Sequence, residues 1–217
     1  ISRLRGDLEG ISGDPPSPRW KQDWFPGLDA AAAYAFVRQT KPRTIIEIGS
    51  GHSTRFMVRA KQDGGLATEI ICIDPSPRAD LRGLDLDLRN VPVQKLDPSA
   101  LPGLRSGDIL FVDSSHIAMP GGDVDWILNN LIPGLPKGVL LHFHDVFLPD
   151  PYPPSWEWRG YNEQIVVAAL LAGGRAVPVF SSHFVRKHRA DLIDSLEINW
   201  IPLIEGAIES SLWLEIQ

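Results

Sequence analysis

The chain has 217 residues, of which 43% are apolar and 22% are charged, and its formal net charge is −6. This length suits one large α/β domain, and the acidic balance argues against partners such as nucleic acid or an anionic membrane, which require a basic surface. No apolar run approaches the ~20 residues of a membrane-spanning helix. We expect a soluble protein in the cytoplasm, where a single thiol, Cys72 in an apolar segment, stays reduced.

The first 26 residues are rich in glycine, proline and charge, and they predict an irregular arm before a domain at 27–217. The alanine-rich segment that begins at Asp29 predicts a helix, which Lys41 and Pro42 end. Further along, strands are predicted at 44–49, 69–74, 91–96, 108–113 and 138–144, and helices at 53–61, 77–82, 122–132 and 161–172. This alternation indicates βαβ units and a parallel sheet. The last predicted strands, 176–180 and 211–216, lack a full helix between them, so we expect them to form an antiparallel pair.

A glycine-punctuated turn follows the first predicted strand. The β-branched run that begins at Thr44 ends in Glu47, and Gly49, Ser50 and Gly51 come next, before a segment that starts a helix. Glycine lets the backbone turn sharply and lets a ligand approach it closely, and the free N–H groups of the helix start favour anionic or polar groups. Glu47 is placed to hold a cation or a hydroxyl.

Each of the five predicted parallel strands ends at or near an acidic residue, and these residues are Glu47, Asp74, Asp97, Asp113 and Asp145. Ligands of open parallel sheets bind beyond the carboxyl ends of the strands, so the pattern predicts a binding cleft at that edge. Asp74 lies where a ribose-binding acid is expected after a glycine loop. The alternative is that Asp74 only caps a helix after Pro75.

Histidines accompany the last two of these acids. His116 follows Asp113 by three residues and is a candidate general base, although it could instead only hydrogen-bond its loop. Asp113, His144 and Asp145 are candidate ligands of a divalent ion. Oxygen ligands suit Mg²⁺, whereas a histidine ligand shifts the preference toward Mn²⁺, Zn²⁺ or Fe²⁺. Alternatively, Asp145 caps a turn and His144 packs.

A proline-rich loop at 147–154 follows the fifth strand, and Trp156, Arg159 and Tyr161 come after it. Clustered aromatic residues beside a cleft are typical of a lid over an acceptor, and Arg159 would pair with an anionic acceptor or with an acid of the site. The alternative is that these residues anchor a long loop on the core.

The pattern Glu47-x-Gly49-x-Gly51, followed by Asp74 and Asp113 after later strands, resembles the class I S-adenosylmethionine-dependent methyltransferases over about residues 27–217. The resemblance implies a Rossmann-like, doubly wound, seven-stranded and mostly parallel sheet with an antiparallel terminal strand. It also implies the cofactor contacts: the glycine loop, including Ser50, lies near the methionine part, Ser53 and Thr54 bind its carboxylate, Asp74 with Pro75 holds the ribose, and Asp97 lies near the adenine. A dinucleotide fingerprint fits less well, because Thr54 stands where a third glycine is needed.

The spacing Asp113-x-x-His116, with Asp145 after the fifth strand, is similar to metal-dependent O-methyltransferases that act on sugars in natural products. This implies Mg²⁺ on the two aspartates and His116 as the base, but His144 stands where that pattern has an acid. We expect S-adenosylmethionine-dependent methyl transfer to a small-molecule hydroxyl, with Mg²⁺ or Mn²⁺ as a candidate second cofactor. The alternatives are a nucleotide-dependent oxidoreductase and a non-catalytic S-adenosylmethionine-binding module. Trp20 and Trp24 are candidates for the interface of a homo-oligomer.

Overall fold

The computed structural model describes residues 1–217, and a seven-stranded sheet runs through its centre in the order β3-β2-β1-β4-β5-β7-β6. The strands are β1 (Thr44–Ile48), β2 (Glu69–Ile73), β3 (Asp87–Arg89), β4 (Ile109–Val112), β5 (Leu140–Phe143), β6 (Ala176–Ser181) and β7 (Leu212–Ile216). Strands β1 to β5 pair in parallel, whereas β7 is antiparallel to both of its neighbours. The predicted fold class is confirmed, and so is the antiparallel pairing of the last two strands.

Helices cover both faces of this sheet. They are α1 (Arg5–Glu9), α2 (Gly27–Thr40), α3 (His52–Asp63), α4 (Asp123–Trp126), α5 (Glu163–Ala172), α6 (Ser182–His188) and α7 (Ala190–Ser195). Helix α4 continues through a wider π-helical turn at Ile127–Leu131. Single 3₁₀ turns lie at Ser2–Leu4, Val93–Lys95, Pro98–Ala100 and Ile132–Gly134, and a longer 3₁₀ helix at Pro154–Arg159. None of the helices combines the length and apolar character that crossing a bilayer requires.

The core consists of two apolar layers, one on each face of the sheet. The first contains Tyr34 of α2, Phe56 of α3 and Trp213 of β7, and the second contains Ile127 and Val167 from the opposite helical layer. All residues of β1, β4 and β5 are buried. Two-sided burial explains why these strands are continuous apolar runs in the sequence.

Two predicted elements are wrong. The third strand is β3 at Asp87–Arg89, and the segment expected to form it, 91–96, contains a 3₁₀ turn instead. This edge strand is short and only partly buried, so it carries no apolar run, whereas Val93 packs into the core from the turn. The helix expected at 77–82 does not form, and bends and irregular backbone occupy that segment.

The N-terminal arm is also more ordered than predicted. It contains α1, and its side chains Leu8, Ile11 and Phe25 are buried in the main core. The Trp20 ring packs against Phe56 with ring centroids 5.2 Å apart, and its indole N–H donates to the Leu8 carbonyl at 3.2 Å. Trp20 is therefore engaged within the chain, and the predicted homo-oligomer stays a prediction.

Replacing Trp213 by alanine is expected to lower the free energy of unfolding by about 3–5 kcal/mol, the usual cost of deleting a buried aromatic side chain. Trp213 is fully buried and stacks on Phe36 with centroids 4.4 Å apart. Urea denaturation measures the effect, with Trp158→Ala as the control. Trp158 is 81% exposed, so this control should cost less than about 1 kcal/mol. Equal losses in the two variants would contradict the packing argument.

Candidate active site

Two adjoining cavities open at the carboxyl edge of the parallel strands. The Asp74 cavity is lined by Ile48, Gly49, Ser50, Ile73, Asp74, Pro75, Ser76, Arg78, Pro92, Val93, Gln94, Asp113, Ser114, Ser115 and Asp123. The Asp145 cavity is lined by Asp23, Trp24, Phe25, Ser50, Gly51, His52, Ser53, Arg78, Asp113, His144, Asp145, Trp156, Arg159, Gly206, Ala207 and Ile208. The two share Ser50, Arg78 and Asp113, so these three residues form the boundary between them.

The glycine loop lies directly against the end of β4. Gly49 has a φ of +81°, and a Cβ atom there would lie 2.0 Å from the backbone oxygen of Asp113. The Asp113 N–H donates to the Ile48 carbonyl at 2.8 Å, and the Gly49 N–H donates to the Ile73 carbonyl at 3.0 Å. Only glycine meets both the left-handed backbone and this close approach.

Asp74 lies in the cavity wall and also organises the loop opposite it. One of its carboxylate oxygens accepts hydrogen bonds from the Ser50 N–H at 2.7 Å and the Ser50 hydroxyl at 3.0 Å, and the other accepts from the Ser76 N–H at 2.7 Å. The capping alternative is thus partly realised at Ser76, although no helix follows. These three hydrogen bonds use three of the roughly four lone-pair sites of a carboxylate, so the oxygen that accepts from Ser76 keeps further acceptor capacity.

Glu47 and Thr54 lie behind the glycine loop and line neither cavity, contrary to their predicted cofactor contacts. The fully buried Glu47 carboxylate accepts hydrogen bonds from the Ser53 and Thr54 hydroxyls, both at 2.6 Å, and from the Cys72 thiol at 3.2 Å. Burial raises the pKa of Glu47 to about 7, against these stabilising hydrogen bonds. Of this group, only Ser53 reaches the Asp145 cavity.

Asp97 also lies outside both cavities. It is exposed and caps the turn Pro98–Ala100, where its carboxylate accepts from the Ser99 N–H at 2.9 Å. The prediction placed Asp97 at the end of a strand, but that strand ends at Arg89. The far wall of the Asp74 cavity consists instead of Pro92, Val93 and Gln94, which the sequence pattern did not mark.

A cluster of carboxylates and imidazoles forms the floor of the Asp145 cavity. His144 Nδ1 lies 3.4 Å from Asp113 Oδ1 and 3.5 Å from Asp145 Oδ1. His116 Nε2 lies 3.3 Å from Asp113 Oδ1 and 3.4 Å from Asp145 Oδ2, and its Nδ1 lies 3.0 Å from Glu163 Oε2. Two carboxylates and two imidazoles therefore alternate, with Glu163 behind His116.

These contacts govern the charges of the cluster. Burial alone would lower the pKa of His116, but hydrogen bonds to Asp113 and Glu163 hold it well above its usual range. The pKa of His144 is likewise raised, because Asp145 and Asp113 outweigh its burial. Burial acts to raise the pKa of Asp113, yet His144 and His116 hold it well below its usual range. The cluster is thus a set of mutually compensating charges.

The structure separates the two proposed roles of the histidines. His144 lines the Asp145 cavity, whereas His116 is 4% exposed and lines neither cavity. Both His116 and Asp145 have left-handed backbones, with φ of 62° and 53°, which turn their side chains into the cluster. Such strained non-glycine residues are typical of functional sites. A molecule in the cavity meets Asp113, His144 and Asp145 directly, but not the predicted base His116.

Two acids of this region were not identified from the sequence. Glu163 begins α5, and Asp29 lies in the first turn of α2 with its carboxylate 3.4 Å from His144 Nε2. Asp29 is fully buried and also accepts from the backbone N–H groups of Ser210 and Ser211. Asp29 could have been identified because it is an acidic residue next to a run of alanines that are buried. No residue near Glu163 in the sequence indicates that Glu163 belongs to the site.

The predicted lid residues divide between two positions. Trp156 and Arg159 line the Asp145 cavity, and the Arg159 guanidinium lies 4.1 Å from the Trp156 ring centroid. Arg159 donates to the Tyr161 hydroxyl at 3.0 Å, whereas its buried Nε–H has no partner. Tyr161 does not line the cavity and packs on His116, with ring centroids 4.6 Å apart. Trp24, which the Arg78 guanidinium covers at 4.6 Å, forms part of the wall of the same cavity.

A family model described as a methyltransferase domain matches residues 46–146. An S-adenosylhomocysteine-bound methyltransferase from Podospora anserina is 19% identical with a TM-score of 0.55, over 88% of this chain and 78% of that one. A Klebsiella pneumoniae protein assigned as an O-methyltransferase is 13% identical with a TM-score of 0.56, over 99% and 88%. A Bacillus cereus O-methyltransferase bound to S-adenosylhomocysteine is 11% identical with a TM-score of 0.50, over 100% and 91%. At these identities the likeness concerns the fold, and a search of curated proteins finds no match.

The substitution Gly49→Ala is expected to destabilise the protein more than Gly174→Ala, which is the matched control. Both glycines have left-handed backbones, with φ of +81° and +69°, but a Cβ at Gly174 meets no atom within 4 Å. The control should therefore lose only about 1–2 kcal/mol of the free energy of unfolding, the cost of a left-handed backbone at a non-glycine residue. Gly49→Ala also displaces the Asp113 backbone and should lose more. Urea denaturation of both variants checks this, and equal losses would refute the close approach.

The pH dependence of stability is expected to contain a contribution from Glu47. Its folded-state pKa is raised from 4.5 to about 7, so its contribution is complete below the unfolded pKa and is lost as the pH rises through the folded pKa. The loss amounts to roughly 3 kcal/mol. Glu47→Gln should flatten the free energy of unfolding over this range, whereas Glu69→Gln at an exposed position should not. Identical pH profiles for wild type and Glu47→Gln would contradict the raised pKa.

Proposed function

This chain carries a class I S-adenosylmethionine-dependent methyltransferase domain, and from that premise we propose that it transfers the methyl group to a hydroxyl of a small molecule. One observation carries the proposal: Ser50, Arg78 and Asp113 border both cavities, so that a cofactor with its adenosine part in one cavity extends toward an acceptor in the other. Methyl transfer is an in-line displacement and requires two reactants held in fixed alignment. Two cavities that meet at one carboxylate fit this requirement.

We assign the Asp74 cavity to the adenosine part of the cofactor. The remaining acceptor site of Asp74 suits a ribose hydroxyl, and Pro92, Val93 and Gln94 suit the flat adenine ring. The methionine part would pass along Gly49 and Ser50 toward Gly51 and Ser53. There the start of α3 favours its carboxylate, since the first N–H groups of a helix lack intrahelical partners. Asp97 has no part in this assignment.

We propose that Asp113, His144 and Asp145 hold a divalent cation. His144 Nδ1 lies 3.4–3.5 Å from one oxygen of each aspartate, longer than a charge-assisted hydrogen bond and close to the ~3.0–3.4 Å between neighbouring ligands of one ion. The ligand atoms of the three residues do not all lie within 4.8 Å of one another, so the two carboxylates would have to move closer together to share an ion with His144. When bound, such a cation lowers the pKa of an acceptor hydroxyl.

His116 fits the role of a positioning residue better than that of the base. Its Nε2 lies within 3.3–3.4 Å of both aspartates, and Glu163 fixes its other ring nitrogen. An imidazole that is buried behind the carboxylates orients them toward the cavity. The carboxylates of Asp113 and Asp145, which line the cavity, are then the groups that meet the acceptor hydroxyl.

The walls of the Asp145 cavity favour an aromatic or anionic acceptor. Trp24 and Trp156 offer ring faces, and Arg159 offers a guanidinium with an unpartnered buried Nε–H. None of the ion pairs in the structure includes Arg159, so its charge remains available to an acceptor. Aromatic faces and one cation around a carboxylate floor suit a small hydroxylated molecule with a carboxylate or phosphate substituent.

S-adenosylhomocysteine is expected to bind in calorimetric titration, whereas NADH is not, and Asp74→Asn should weaken the binding at least about tenfold by removing a charged acceptor. Asp97→Asn is the matched control and should bind as wild type does, because Asp97 lies outside both cavities. Binding of NADH instead would favour the oxidoreductase alternative. Cofactor binding without methylation of any hydroxylated acceptor would favour the non-catalytic alternative.

Mn²⁺ is expected to bind the complex with S-adenosylhomocysteine, and the loss of the free-ion signal in electron paramagnetic resonance measures it. Asp145→Asn should abolish this binding, whereas Asp97→Asn should not. Binding should weaken as the pH falls, because His144 must lose its proton to act as a ligand and its pKa is raised. Unchanged Mn²⁺ binding in Asp145→Asn would remove the cation from this site.

A further inference from the structure

A second group of potential ligands lies apart from both cavities, between the loop after β5 and helix α6. Asp150 belongs to the proline-rich loop, His183 lies in the first turn of α6, and His188 is its last residue. One oxygen, Asp150 Oδ2, lies 2.9 Å from His183 Nε2 and 2.6 Å from His188 Nε2. The three ligand atoms all lie within 4.8 Å of one another.

From this convergence, we propose that Asp150, His183 and His188 form a site for a transition-metal ion, with Zn²⁺ as the preferred ion. Two imidazoles and one carboxylate are a donor set that Zn²⁺ uses and that Mg²⁺ avoids. A tetrahedral Zn²⁺ holds its ligand atoms ~3.3–3.5 Å apart, so the two imidazoles need to retreat from the shared oxygen by less than an ångström. Three protein ligands leave the fourth position open to water.

The five-residue spacing of His183 and His188 does not by itself bring their side chains together on a regular helix, but the end of α6 does. Residues five apart on a regular helix point in different directions. Helix α6 ends at His188, and Arg189 has non-helical backbone angles, with φ of −136° and ψ of 42°. The His183 ring packs on Phe147 and the His188 ring on Phe184, with centroids 5.0 and 5.3 Å apart. The imidazoles are therefore held in position, yet the His188 side chain is 36% exposed, which leaves an ion a path of entry.

The competing interpretation is a purely electrostatic cluster around Asp150. Lys187 Nζ lies 3.2 Å from the other oxygen, Asp150 Oδ1, so the carboxylate has partners without any metal. This contact leaves Oδ2, the oxygen that both imidazoles share, unaffected. In the electrostatic interpretation Lys187 is an essential partner, whereas in the metal interpretation it is dispensable. Its removal therefore discriminates between the two interpretations.

A metal at this position would affect the Asp145 cavity indirectly, through the loop that leads to Trp156. The Asp150 carbonyl accepts from the Gln164 side chain at 2.9 Å, and Phe147, three residues earlier, packs on Trp156 with centroids 5.1 Å apart. Trp156 in turn lines the Asp145 cavity. Joining Asp150 to α6 would fix the loop that carries Trp156, so the ion would have a structural role and would take no part in the reaction.

The test titrates untagged, metal-free protein with Zn²⁺ against a chromophoric chelator. Wild type should bind one Zn²⁺ that His183→Ala and His188→Ala each weaken at least about a hundredfold, since even outer-shell changes cost 10–100-fold. Lys187→Ala should retain the Zn²⁺ affinity. Zn²⁺ should also raise the Tm of wild type but not that of His188→Ala.

A second variant separates this site from the Asp145 cavity. His144→Gln removes the imidazole proposed there and should leave the Zn²⁺ that depends on His188 in place. Zn²⁺ binding that His144→Gln abolishes and His188→Ala preserves would overturn the proposal. Absence of Zn²⁺ binding by wild type, or its loss in Lys187→Ala, would do so as well.

Discussion

The close approach of Gly49 to the Asp113 backbone is the constraint on which the rest of the site depends. Adjacent parallel strands end at the same edge, and here the turn after β1 contacts the residue after β4 with no room for a side chain between them. Because the two strand ends are in contact, Asp113 lines both cavities and its carboxylate lies at their boundary. If the strand ends were further apart, the two cavities would no longer share Asp113.

Several carboxylates lie close together at this edge, where they would repel one another, and imidazoles lie next to them. Asp113 and Asp145 are each flanked by His116 and His144, and Glu163 stands behind His116. A buried carboxylate without a partner would take up a proton, whereas the two imidazoles beside Asp113 hold its pKa well below its usual range. The partners of Glu47 are neutral hydroxyls and not imidazoles, and burial raises its pKa to about 7. The pKa values of Asp113 and Glu47 therefore shift in opposite directions because their partners differ.

Much of the fold was predictable because buried parallel strands are apolar along their whole length. That pattern identified β1, β2, β4 and β5 and placed their terminal residues at one edge. It failed at β3, a short and only partly buried edge strand whose pairing depends on β2 and not on its own apolarity. Asp97 was misplaced for the same reason, because its role was deduced from a strand that lies elsewhere.

The candidate site was predictable only where it follows directly from strand ends. Asp74, Asp113 and Asp145 were found in this way, and each lies at a cavity. Asp29, Glu163 and Gln94 reach the site through tertiary packing across long sequence separations, which one sequence does not reveal. His116 was correctly placed beside Asp113, but its burial depends on Glu163 and Tyr161. The sequence predicted that His116 lies near Asp113, but it did not predict that His116 fails to reach the cavity.

The antiparallel strand β7 has a consequence for the order in which the two cavities become complete during synthesis. The Asp74 cavity draws its lining from residues 48–123, so it is specified once the middle of the chain has emerged from the ribosome. The Asp145 cavity also requires Gly206, Ala207 and Ile208, which precede β7, and β7 inserts between β5 and β6. Contacts of long sequence separation form late because loop closure costs entropy. A nascent chain therefore contains the residues of the Asp74 cavity before the Asp145 cavity is complete.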